Sequence, residues 1–299
     1  MHNLTQNREL ADLLFPDIGK TPEYYEMLYP KRQLNEGAKV TRFAPSPTGY
    51  VHMGSLYASL VSERLAHQSN GVFFLRVEDT DKKREVEGGV SNIVRALSRF
   101  GISFDEGVTD VDDEKGSYGP YKQSERMEIY KTFAKRLVEK GLAYPCFCSE
   151  EDLDKIRAQQ EEKKETPGYY GKYAVHRNST LEQVKEELSR GKPFVLRVKA
   201  PDNPDSRFVF KDLIKGDVEM PENFQDIVLL KSDGLPTYHF AHVVDDHLMR
   251  TTHVTRGDEW LPSAPLHVQL FEMLEWEKPY FAHISPIMKM EGSSKRKLS

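Results

Sequence analysis

The chain has 299 residues, 38% of them hydrophobic and 30% charged, with a net charge of −5. That is room for one large core or two modest ones. No apolar run approaches the roughly 18 residues a membrane span needs. The overall charge carries no basic signal for nucleic acid, so a polyanionic partner would have to be held by local patches.

In chain order, residues 1–37 read as an amino-terminal extension, with short helices expected in "NRELADLLFPDI", ended by Pro16, and in "TPEYYEMLYPKR". The main domain opens with the extended stretch "AKVTRFAP", and a turn rich in Pro and Gly follows. The next helix carries Leu56, Leu60, Val61 and Leu65 at helical spacing. "GVFFLRVED" reads as a buried strand of the parallel type. Strand, glycine-bearing loop, helix and strand form a βαβ unit. Two more helices are expected, one through Val90, Ile93, Val94, Leu97 and Phe100 to Gly101, the other from about Ser124 to Lys140.

The texture changes near residue 145. "SEEDLDKIRAQQEEKKE" is nearly all charged, and Ser149 with Asp152 predicts a capping box. Strands at "PFVLRVKA" and "FVFKDLI" follow, and Asp233-Gly234 predicts a tight turn. Residues 145–230 therefore read as a small α+β insertion between two halves of one α/β sheet, 38–144 and 231–299. The second half is expected to hold the strand "THVTRG", a helix near "DEWLPSAPLHVQLFEML" and the strand "YFAHISPIM".

The chemistry starts in "RFAPSPTGYVHMG", between the first strand and the first helix of the sheet. Ligands in open parallel sheets sit at the carboxyl ends of strands. Backbone N–H groups near Gly54 and Ser55, at a helix start, favour an anion, and His52 stands one step before them. Taken alone, this would be a Pro-Gly turn with an incidental surface histidine.

Together with "LRVEDTD" (75–81), "GPYKQSER" (119–126), "LPTYHFAHVVDDH" (235–247) and "RGDEW" (256–260), it resembles the class I aminoacyl-tRNA synthetases, specifically the glutamyl-tRNA synthetase family. "HMG" is similar to the family's HIGH motif, with Ser55 at the fourth position. The blocks keep the family's order, from about Thr41 to the last residue. The resemblance implies a Rossmann-like parallel-sheet catalytic domain split by a connective insertion that binds the tRNA acceptor end. The implied partners are L-glutamate, ATP with Mg²⁺, and tRNA(Glu).

A substrate with two carboxylates asks for arginine, whose planar fork pairs with carboxylate bidentately. Arg42 and Arg256 lie at the ends of predicted strands, and Glu78 suits an α-ammonium. The resemblance implies a glutamate pocket of Arg42, Ala44, Ser46, Glu78, Tyr238, His242 and Arg256; His242 departs from the asparagine common in the family. It implies His52 and Gly54 at the ATP phosphates, with Glu259 and Trp260 near ribose and adenine. A fixed cation at Arg256 favours glutamate over glutamine, because a neutral amide would leave it unmatched.

Cys146 and Cys148 are the only cysteines. One residue between them strains a disulfide, which together with an amino terminus unlike a signal peptide suggests a reducing cytoplasm. Some family members bind zinc here through Cys-x-Cys and later ligands. The later cysteine is missing; Tyr173 stands in its expected place, and Tyr169 and His176 offer a possible Cys₂-Tyr-His site beside the plainer reading of two buried thiols. "VVDDH" is read as structural, a charged helix start. Lys82-Lys83-Arg84 and Lys163-Lys164 read as solvated faces more readily than as tRNA contacts.

The carboxy-terminal "MKMEGSSKRKLS" has the composition of a mobile phosphate-gripping loop. Lys297-Leu298-Ser299 is similar to the start of the family's KMSKS-type motif, which implies catalytic roles for Lys297 and Ser299. The lysine expected next is not in this sequence, so the chain reads as a fragment cut inside that loop. A monomer is expected. A short paralogue that glutamylates queuosine in tRNA(Asp), and a non-catalytic glutamate-binding paralogue, stand as alternatives.

Overall fold

The computed structural model describes every residue except Met1, Tyr50, Lys82, Lys83, Glu85, Asp202, Ser293 and Ser299. In chain order the elements are α1 (His2–Leu14), α2 (Pro22–Leu28), β1 (Val40–Phe43), α3 (Met53–His67), β2 (Val72–Leu75), α4 (Gly89–Arg99), β3 (Glu106–Asp110), β4 (Asp113–Lys115) and α5 (Met127–Glu139). Then come β5 (Ala143–Cys146), α6 (Glu150–Glu162), α7 (Leu181–Ser189), β6 (Val195–Val198), β7 (Arg207–Asp212), β8 (Gly216–Pro221) and β9 (Val228–Leu230). The chain closes with α8 (Tyr238–Leu248), β10 (His253–Gly257), α9 (Ala264–Met273), β11 (Tyr280–Ile284), β12 (Met288–Glu291) and β13 (Ser294–Lys297).

The apolar runs at β1 and β2 pair in parallel, β3 continues the parallel sheet, and β10 pairs in parallel with β11. β10 lies alongside β1, where the Thr252 N–H donates to the Val40 carbonyl at 2.9 Å. The parallel core therefore runs β3-β2-β1-β10-β11, the order of a doubly wound nucleotide-binding sheet, and its switch point lies between β1 and β10. No ladder pairing joins those two strands among the described residues.

Four sequence expectations are corrected by the packing. The helix α3 does not bury Leu60, which is 37% exposed. Its packed face is Leu56, Ser59, Ser62, Glu63 and Ala66. Small hydroxyl residues let the helix approach both strands: Ser62 accepts from Thr41 Oγ1 through its carbonyl at 2.7 Å and bonds Thr255 through its hydroxyl. The amino-terminal extension is part of the core. Ala11, Phe15, Tyr25 and Tyr29 are buried with α5, and Glu26 accepts from His247 at 2.6 Å and Arg250 at 2.7 Å.

The 145–230 module holds its own antiparallel sheet, β5-β6-β9, with the expected capping box at α6. Its hairpin β7–β8, however, leaves that sheet and extends the second-half sheet through Asp212 and Phe281. Lastly, the run expected as a loop forms an antiparallel ribbon, β12 with β13. Glu291 braces it by pairing with Arg296 at 3.0 Å and Lys289 at 3.5 Å. Ser299 lies outside the described residues.

Candidate active site

At the carboxyl ends of β1 and β10 opens a cavity of about 450 Å³. Arg42, Ala44, Ser46, His52, Gly54, Glu78, Tyr238, Arg256, Glu259 and Trp260 all line it. The wall beyond β11 is Ile284 to Ile287, and the Leu298 N–H, at the foot of the ribbon, donates to the Ile287 carbonyl at 2.8 Å. His242 does not line the cavity. It is fully buried behind the wall, where Arg42 Nη2 meets its Nδ1 at 3.3 Å and Asp246 meets its Nε2 at the same distance. Its ring stacks on His267 at 4.4 Å and lies 5.5 Å from the Tyr238 ring.

The loop 44–48 is held from two sides. Glu78 N–H donates to the Pro45 carbonyl at 3.0 Å, and Val86 N–H to that of Pro47 at 2.9 Å. Gly89 opens α4 against the same turn, and a Cβ there would come within 2.8 Å of the Pro47 oxygen. His52 is the N-cap of α3: its Nδ1 accepts from the Ser55 N–H at 3.3 Å, leaving Nε2 as the proton-bearing nitrogen, 3.2 Å from Ser55 Oγ. A Cβ at Gly54 would crowd the ring at 3.2 Å.

The two arginines are held differently. Arg42 donates to both oxygens of Asp246, at 3.1 and 3.3 Å. Arg256 has no described carboxylate within ion-pair distance. It donates to His283 at 2.9 Å and His267 at 3.0 Å, while Nη2 is buried without a hydrogen-bond partner among the described residues. Burial lowers its pKa to about 10, so it stays charged at neutral pH. Burial also pushes Glu78 up to about 7, against the pull of Arg76 and Arg42. The cleft thus sets two cations beside an acid, Glu78, that burial brings near neutrality.

Beneath it lies an ionic layer that sequence reading passed over. Arg76, fully buried, donates to Asp246 at 2.8 Å and to Glu78 at 3.2 Å. Asp245 accepts from Arg126 at 2.7 Å, Gln123 at 2.8 Å and Tyr130 at 2.8 Å. "VVDDH" is thus structural as read, but it forms the last turns of α8, not a helix start. "GPYKQSER" acts through Gln123 and Arg126 as its support. The available signal was a charged or imidazole residue inside an apolar run, as with Arg76, His267 and His283, because a buried polar group must find a partner. Arg84 pairs with Asp81 at 2.7 Å; Lys82 and Lys83 lie outside the described residues.

In the insertion, Cys146, Cys148 and His176 offer donor atoms all within 4.8 Å of one another. The Tyr169 hydroxyl stands 3.3 Å from Cys146 Sγ and 3.5 Å from Cys148 Sγ and His176 Nδ1. The sulfurs lie 3.9 and 3.4 Å from that nitrogen. Ligands at the usual zinc bond lengths span tetrahedron edges of about 3.3–3.8 Å, and all of these contacts but the one from Cys146 Sγ to His176 Nδ1 fall in that range, so the cluster is close to a zinc shell. Hydrogen bonds from Cys148, then His176 and Tyr169, hold Cys146 down at about 3, while Cys148 is raised. Tyr173 is elsewhere, donating to Glu165 at 2.6 Å.

A switch-point cleft that gathers a helix start and two buried arginines defines a class that comparison identifies directly. Residues 39–299 match the family described as tRNA synthetases class I (E and Q), catalytic domain, and the chain belongs to it. It is 58% identical over 290 residues to the glutamate–tRNA ligase of Clostridium perfringens (strain 13 / Type A), covering 97% of this chain and 53% of that protein. The glutamate–tRNA ligase of Acetivibrio thermocellus is 57% identical over 293 residues, with 98% and 54% covered. A crystal structure of a glutamate tRNA ligase from Elizabethkingia meningosepticum in complex with its amino acid matches with TM-score 0.80 and 41% identity, over 87% of this chain and 51% of that one. The chain spans about half the length of the curated relatives it matches.

Proposed function

We propose that this chain activates L-glutamate with MgATP to glutamyl-adenylate, and that the protein transfers the glutamyl group to the 3′ end of tRNA(Glu). The observation that carries the reading is the pair Arg42 and Arg256 on one cavity with Glu78. Two cations suit the two carboxylates of glutamate, and a carboxylate beside them suits its ammonium. Ala44 and Ser46 border the same space, with Tyr238 across it.

The α-carboxylate oxygen attacks the α-phosphorus of ATP, forming a P–O bond as pyrophosphate leaves. His52 Nε2–H and the Gly54 N–H counter the charge that builds on the phosphoryl oxygens. Glu259 and Trp260 flank the nucleoside. The ribose hydroxyl of the tRNA end then attacks the acyl carbon and AMP leaves. Lys297, in the ribbon, is the residue read as serving the phosphates; the proposed role of Ser299 falls outside the described residues. Residues 145–230 present the acceptor end, and Cys146, Cys148, His176 and Tyr169 hold a structural zinc. The enzyme works as a cytoplasmic monomer.

Naming of the relatives favours tRNA(Glu) over tRNA(Asp) as acceptor. The test is ATP–pyrophosphate exchange, run with and without tRNA(Glu). Exchange should depend on glutamate, with glutamine at least about 10³-fold poorer. Equal exchange with glutamine would overturn the reading.

A further inference from the structure

Imidazoles, not carboxylates, orient the buried Arg256. Its Nε donates to His283 Nε2 at 2.9 Å and its Nη1 reaches His267 Nδ1 at 3.0 Å. A guanidinium has donors and no acceptor, so each imidazole nitrogen facing it must be bare. Burial lowers the pKa of both histidines, which keeps the rings neutral at pH 7. A neutral ring carries its proton on the other nitrogen. His283 is then the Nδ1–H tautomer, and that proton meets Asp212 Oδ2 at 2.6 Å. His267 is the Nε2–H tautomer, and its proton meets His239 Nδ1 at 3.1 Å.

The donors in His239–His267–Arg256–His283–Asp212 therefore admit one arrangement of protons. Asp212 is itself fixed: its Oδ1 accepts from the N–H groups of Ile214 at 2.9 Å and Lys215 at 3.0 Å. His267 and His283 are fully buried, and Asp212 is 3% exposed.

We propose that Asp212 and His283, with His267 and His239 on the other flank, are positioning residues that set the direction of Arg256 and so the fit of the substrate's side-chain carboxylate. The proposal rests on the reading of Arg256 as receptor for that carboxylate. A carboxylate placed directly on Arg256 would cancel its charge before substrate arrives. Two bare imidazole nitrogens aim the fork and leave the charge available. Asp212 lies at the end of β7, so the hairpin that departs from the insertion supplies the anchor of the specificity cation.

The test pairs two variants with one measurement on the unaltered protein. In Asp212→Asn, the N–H groups of Ile214 and Lys215 still demand an oxygen at Oδ1, two donors against the one His283 N–H that reaches Oδ2 at 3.1 Å, which turns the new amide nitrogen toward His283 Nδ1. That donor pushes the ring proton to Nε2, against Arg256 Nε–H. Calorimetry should then show glutamate affinity reduced at least about 10-fold with ATP affinity unchanged. Long-range ¹H–¹⁵N spectra at pH 7 should show Nδ1–H for His283 and Nε2–H for His267 in the unaltered protein, and Nε2–H for His283 in the variant. The opposite tautomers in the unaltered protein would overturn the proposal even if the variant failed to fold. Arg256→Ala separates the two ideas. If it weakens glutamate while folded Asp212→Asn does not, the positioning role is wrong and the receptor stands. If Arg256→Ala leaves affinity unchanged, the receptor reading fails and the proposal with it.

Discussion

Arg42 and Arg256 look alike in sequence and differ in what their loss should do. Arg42 is half of a buried pair, and Arg42→Ala leaves Asp246 with Arg76 as its one remaining arginine. It should cost about 3 kcal/mol of stability in urea unfolding, besides weakening glutamate binding. Arg256→Ala removes a buried cation that has no described carboxylate partner, so stability should stay within about 1 kcal/mol while glutamate affinity collapses. Equal stability losses would contradict this asymmetry. Glu78 adds a pH dependence. Its folded pKa of about 7 exceeds the ordinary 4.5, so the folded protein holds an extra proton between those values. Its contribution to stability is present at low pH and is lost as pH rises through 7. Binding an ammonium needs the ionised form, so glutamate affinity should rise up to about tenfold per unit below pH 7 and level off above it. Glu78→Gln should flatten that profile in calorimetry. His52→Ala removes both a helix cap and the proposed phosphate donor; adenylate formation should slow about 10²- to 10³-fold with glutamate binding retained.

Helix α8 shows how one element serves both core and site. Phe240, Ala241, Val243, Val244 and Leu248 are buried, and so are Asp245 and Asp246 on the same helix. A helix polar on a buried face survives because each carboxylate is met by donors from elsewhere, Asp245 by Arg126, Gln123 and Tyr130. Asp245→Ala leaves Arg126 buried beside its lost partner and should destabilise by about 3–5 kcal/mol. Denaturant unfolding within 1 kcal/mol of the parent would show that the layer is not structural.

At the scale of the molecule, the site is a seam between β1 and β10, strands some two hundred residues apart that no described ladder joins. A ligand that bridges Arg42 and Arg256 ties the two halves together. Saturating glutamate, at about 100 times its Kd, should raise unfolding free energy by about 2.7 kcal/mol. The zinc proposed at Cys146, Cys148, His176 and Tyr169 would concern the insertion alone: a chelator should lower the melting temperature and leave glutamate affinity unchanged. A fall in glutamate affinity on chelation would mean the two regions are coupled.

Local pattern was enough to find α4, α5, the capping box at Ser149 and the strands β1, β2, β10 and β11, because periodicity, caps and β-branched runs act within a few residues. The family resemblance named ten residues, from four separate segments, that line one cavity. What it could not reveal were relations made across the chain: that Ser62 and not Leu60 faces the sheet, that α1 and α2 belong to the core, that β7 crosses to β11, and that His242 slips behind the wall. Nor did it reveal that Arg76, Asp245, His267, His283 and Asp212 form the layers under the pocket. A buried polar residue declares only that it needs a partner; which partner it has depends on how distant segments are brought together, and that is decided by tertiary packing.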